Sequence, residues 1–91
     1  MITASRLRRL LSYSKSTGLL RWRESLSPRV RVGDVAGSIN EIGYRIVQIA
    51  GRKFCGHRIA VLHVSGKWPA HNIKFKNGDK SDLRWKNLRT A

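Results

Sequence analysis

Acidic residues are scarce in this chain: 5 Asp and Glu stand against 19 Lys and Arg in 91 residues, a net charge of +14. An excess that large repels itself in so small a body and calls for a polyanion. It also far exceeds the net charge of ~2–8 that solubility asks of a small domain. Cysteine is nearly absent as well. The single Cys55 cannot close an internal disulfide, suits a reducing compartment, and reads as a small apolar strand residue. No Cys/His cluster has structural-zinc spacing, and no metal or other cofactor is expected. There is no apolar run of ~18 residues to span a membrane and no signal-peptide apolar region, so a cytoplasmic location is expected. Residues 1–91 form one expected domain, below the usual size for burying a comfortable core.

The positive charge is distributed rather than confined to a tail. Basic residues run from Arg6 to Arg89 among Leu, Ile, Val and Trp, the pattern of a folded basic domain rather than a disordered arm. No long basic amphipathic helix is present, which argues against an anionic membrane surface as the partner.

Thr3 or Ser5 can cap a first helix in which Leu7, Leu10 and Leu11 fall at helical spacing, with Arg6, Arg8 and Arg9 on the other side; it is expected to end near Tyr13. Ser14 to Gly18 is turn chemistry. Leu20 and Trp22 then alternate with Arg21 and Arg23, the period of a half-buried strand, and Glu24 to Asp34 is a loop. Gly43 to His57 reads as a β-hairpin turning at Ala50-Gly51. A buried helix from Arg58 to about Val64 follows, stopped by Gly66 and Pro69. The predicted class is α+β: an N-terminal helix, short antiparallel strands with a hairpin, a buried central helix, and a C-terminal module over about 71–91.

That module, IKFKNGDKSDLRWKNLR from Ile73 to Arg89, carries a strand, the turn Asn77-Gly78-Asp79, an acidic corner at Asp82, and a closing turn from Trp85. It resembles the hairpin-plus-helix (ββα-metal) core of HNH homing-endonuclease-type proteins common in bacteriophages. Their strand usually reads Ile-Asp-His-x-Asn-Gly-Asp, followed by Ser-Asp-Asn-Arg-x-x-Asn-Leu-Arg. Upstream landmarks are similar too: Tyr13, Thr17-Gly18-Leu19, Trp22-Arg23, Ala36-Gly37, Gly43-Tyr44, His57-Arg58-Ile59-Ala60 and Gly66-Lys67-Trp68-Pro69. The resemblance implies a nuclease scaffold lying against duplex DNA. The departures fall at its catalytic core. Lys74 stands where the metal-binding Asp should be, Phe75 where the general-base His should be, and Leu83 at the middle Asn, leaving only Asn87.

A one-metal nuclease needs hard oxygen ligands for its ion and a base for the attacking water. Lys74 repels a divalent cation and Phe75 accepts no proton. An extended chain puts His71 about 13 Å from Phe75, too far to substitute. His57 and His63 read as core histidines, and Asp79 and Asp82 as turn formers. The chain is therefore expected not to be an enzyme. Its expected role is a catalytically inactive DNA-binding, phage-type regulatory or protective factor acting in the host cytoplasm. Its expected phosphate contacts are Arg45, Arg52, Lys53, Lys74, Lys76, Lys80, Arg84, Lys86, Asn87 and Arg89. Trp22 and Trp68 are expected in the core. Phe75 and Leu83 are either added core or a docking patch. In the second case the partner would be a host nucleic-acid-processing protein. A third reading is a live metal-dependent nuclease with relocated ligands.

Overall fold

Thr3 opens the first element by accepting a hydrogen bond from the Arg6 amide on its Oγ1 (3.2 Å), and helix α1 runs Ala4–Leu10. The structure is a computed structural model and describes residues 2–25, 27–70 and 72–90. The helix is shorter than its leucine spacing predicts. Leu11 turns extended (φ −132°, ψ 142°), and strand β1 (Leu11–Tyr13) pairs antiparallel with β2 (Leu20–Trp22), Leu11 opposite Trp22. Pairing across the Ser14–Gly18 turn overrides the helical period, and Leu11 is buried either way.

A second sheet orders β3 (Ser38–Ile39), β4 (Arg45–Ile49) and β5 (Arg52–Cys55), all antiparallel. The β4–β5 turn is Ala50-Gly51 with φ of +50° and +81°, a two-residue turn with both central residues left-handed, which matches the strands' own twist. Helix α2 spans Gly56–Ser65, two residues earlier than the sequence predicts at its start, and ends at Gly66 in the left-handed conformation. Its Ile59, Ala60, Val61 and Leu62 are buried while Arg58 and Ser65 face out, so one side is solvated.

One hydrophobic cluster gathers Leu7, Leu10, Leu11, Leu20, Trp22, Val47, Ile49, Ile59, Leu62 and Leu83. Burying each Leu or Ile of this set contributes about 1.5–3 kcal/mol before chain entropy is charged against it. Arginines strap the elements over that core. Arg8 Nε donates to the His63 carbonyl (2.9 Å) and Arg23 donates to the Arg8 carbonyl (2.7 Å).

The C-terminal module is two strands, β6 (Ile73–Phe75) and β7 (Leu88–Thr90), paired antiparallel and bridged by a loop that ends in a 3-10 turn at Trp85–Asn87. A hairpin followed by a helix was expected; the described residues instead place a strand where Leu88 begins, so the chain re-enters the sheet. The α+β class stands, with two helices and short antiparallel sheets. No helix among the described residues is long and apolar enough to cross a membrane.

Candidate nucleic-acid interface

Alternation along β6 leaves Lys74 exposed and turns Ile73 and Phe75 toward the interior, with Lys76 exposed again just past the strand. Lys74 is the direct cross-strand partner of Arg89, which is also exposed. Like charges directly opposite one another repel. No acid lies between them: the ion pair found among the described residues is Arg84–Asp82, elsewhere in the module. Lys80 and Lys86 are exposed on the same module. The Lys80 ammonium sits 4.9 Å from the Tyr44 ring and reaches the Ile42 carbonyl at 3.4 Å.

Three of the residues expected to contact phosphate do other work. Asn87 is 4 % exposed, and both ends of its amide are committed. Its Oδ1 accepts from the Asn77 amide (3.0 Å) and its Nδ2 donates to the Asp82 carbonyl (3.0 Å). It staples the loop. Arg84 is clamped on Asp82, Nη2 to Oδ2 at 2.6 Å and Nε to Oδ1 at 2.9 Å. That clamp holds the Asp82 carboxyl well below the usual carboxylate range. Arg45 donates to the Ala36 (3.2 Å) and Gly37 (3.0 Å) carbonyls. Arg52 and Lys53 are exposed as expected, on the hairpin.

Leu83 is 2 % exposed and belongs to the core, where it meets Gly56; a Cβ on that glycine would fall 2.9 Å from Leu83 Cδ1. Of the two openings left by the sequence, the extra-core one holds for Leu83, and it forms no docking patch. Phe75 is half-buried in an aromatic nest, its ring 5.1 Å from His57 and 6.3 Å from Tyr44. Among the described residues His57 Nδ1 is buried without a hydrogen-bond partner, and burial followed by the nearby Arg58 pulls its pKa below the ordinary value of 6.5. His63 Nε2 lies 3.0 Å from the Leu11 carbonyl, a core role as expected. Trp22 is buried, while Trp68 is only half-buried and stacks on Phe54. His71 lies outside the described residues.

A divalent ion does not fit these side chains. Asp82 is occupied by Arg84 and by Asn77 Nδ2 (2.9 Å), and Asp79 accepts from the Ser81 amide (2.9 Å) and hydroxyl (2.7 Å). Among the described residues no group of three or more His, Cys, Asp or Glu could hold a metal. The exposed strand residue Lys74 presents an ammonium, which repels a divalent cation.

The module loop packs closely against the β1–β2 turn. Gly18 has φ +74°, and a Cβ on it would collide with the Arg84 amide and come within 2.6 Å of the Leu83 carbonyl carbon. The Trp85 amide donates to the Lys15 carbonyl (3.0 Å), and Tyr13 Oη donates to the Leu83 carbonyl. The β1–β2 turn and the module loop are thus one joint. The Thr17-Gly18 landmark was legible in the sequence, but its contact was not.

Residues 56–91 match the family model described as HNH endonuclease. Comparison with curated proteins and with solved structures finds no match. The matched stretch begins at helix α2 and takes in the whole β6–β7 module, so this part of the chain is HNH-like, a likeness that points to a nucleic-acid-related function.

Proposed function

We propose that this chain is a catalytically inactive HNH-like protein of the phage type that grips duplex DNA through its phosphates, as a regulatory or protective factor. The observation that carries the reading is the Lys74–Arg89 pair, two exposed cations held opposite one another on the strand that would otherwise carry the metal ligand. A phosphate seated between them relieves their repulsion and takes charge-assisted hydrogen bonds from both. Lys76, Lys80 and Lys86 extend the contact along the module. Loss of cleavage follows from the donor set. Phe75 cannot serve as a base, and Asp79 and Asp82 are held by Ser81 and Arg84.

Anisotropy titration of a labelled duplex tests both parts. Affinity should fall roughly five-hundredfold between about 50 and 200 mM salt, for these five phosphate contacts. It should not change when EDTA is added. Nicking of a plasmid by the pure protein with Mg2+ or Mn2+ would overturn the inactive reading. Salt-insensitive or absent DNA binding would overturn the rest.

A further inference from the structure

The cations of this molecule divide into two kinds by what their side chains touch. Arg8, Arg21, Arg23 and Arg45 donate to backbone carbonyls and act as struts. Arg6, Arg29, Arg52 and Lys53 are exposed with no side-chain hydrogen bond or ion pair among the described residues, and Arg58 meets only the Trp68 ring at 5.8 Å. These five come from α1, the loop after β2, β5 and α2, yet they line three hollows that adjoin. The first holds Arg6 and Arg29 and shares Arg6 and Ala50 with the second; the second shares Arg52 and Phe54 with the third, which holds Lys53 and Arg58. No acidic side chain lines any of the three. The Phe54–Trp68 stack, centroids 5.9 Å apart, walls the far end.

We infer that this trough is a second track for a phosphodiester backbone, separate from the β6–β7 surface. It rests on the nucleic-acid reading above and extends it to a second site. The Arg6, Arg29 and Arg52 end of the trough lies at the Ala50-Gly51 turn, whereas Tyr44, at the other end of β4, lies against Phe75 of the module, as does His57 beside Arg58. Six extended residues separate Tyr44 from Ala50, about 20 Å. That is roughly six phosphate steps along one strand. Arg6, Arg29 and Arg52, at the far end, therefore bind phosphates that the module does not reach. Its five exposed charges, spaced along a continuous depression, suit an extended polyanion better than a single small anion.

The experiment compares two triple variants on a duplex of about 30 base pairs, which at ~3.4 Å per step outspans the molecule's longest extent of 36 Å. One variant is R6A/R29A/R52A and the other K74A/K76A/R89A, with the charge-preserving R6K/R29K/R52K as control. All the substituted side chains are exposed, and thermal melts check that each variant folds. The trough variant should lose about tenfold or more in affinity, and its slope of log K against log salt should become shallower by about 2.7, the value for three phosphate contacts. The lysine control should keep the wild-type slope. If the trough variant binds with wild-type affinity and slope while the module variant is impaired, the second track is refuted and the module reading stands. If wild-type protein binds no duplex at all, both fail together.

Discussion

Gly18 sits where three constraints meet: a left-handed φ of +74°, a turn between strands, and the Leu83–Arg84 backbone pressed against its α-carbon. Replacing it with alanine adds a methyl with nowhere to go. Gly18→Ala should cost at least about 2–3 kcal/mol, read as a drop in melting temperature or urea midpoint. Gly51, also left-handed but with open space around it, should tolerate the same change at roughly 1 kcal/mol, the conformational cost alone. His57 carries a different signature. Its folded pKa lies below 6.5, so the unfolded chain takes up a proton first as pH falls. Stability should therefore decline as pH drops through about 6.5. His57→Phe, which keeps a ring in the Tyr44–Phe75 nest, should flatten that decline, as followed by melts between about pH 5 and 7. Asp82 works in a more acidic window. Its depressed pKa gives a contribution that is intact above the ordinary carboxylate range and lost only in strong acid. Tyr13, pushed up to about 12 by burial and then by Asp82, weakens the fold as pH climbs from 10 toward 12.

At the scale of elements, the loop between β6 and β7 is ordered from within. Asn87 ties the Asn77 amide to the Asp82 carbonyl, Asn77 Oδ1 takes the Asp79 amide (2.8 Å), and Arg84 closes on Asp82. Asn87→Ala leaves the part-buried Asn77 amide and Asp82 carbonyl short of a partner, a loss of about 1 kcal/mol. Amide exchange over 76–82 should quicken ahead of the core's, because the loop's bonds pass through this one side chain. This loop also marks how far the sequence could be read. Elements with strong local signals were legible: the Thr3 cap, the Leu20–Trp22 alternation, the Ala50-Gly51 hairpin and the Gly66 stop. Those settled by distant pairing were not. Leu11 leaves its helical stripe to face Trp22, and Leu88 becomes a strand because Phe75 lies opposite. The site was legible in its charges and illegible in their employment. Nothing in the order of residues says that Arg84 is spent on Asp82, that Arg45 holds two carbonyls, or that Arg6 and Arg58 line hollows that both reach Arg52.

For the whole molecule the governing quantity is the unbalanced charge. Nineteen basic groups are folded into a body 36 × 26 × 23 Å across, with the one ion pair found among the described residues at Arg84–Asp82. Every other cation is left to struts or solvent, so the folded chain pushes outward on itself. Added salt shortens the reach of that push, from ~30 Å at 10 mM to ~10 Å at 0.1 M. The melting temperature of the free protein should thus rise over this range even as the proposed hold on DNA slackens. A melting temperature that falls on adding sodium chloride would contradict the charge argument. At low ionic strength a short heparin or DNA fragment should do what salt does, and more. On the proposed reading the nucleic acid serves as the counterweight the chain was made without, and architecture and occupancy become two readings of one electrostatic balance.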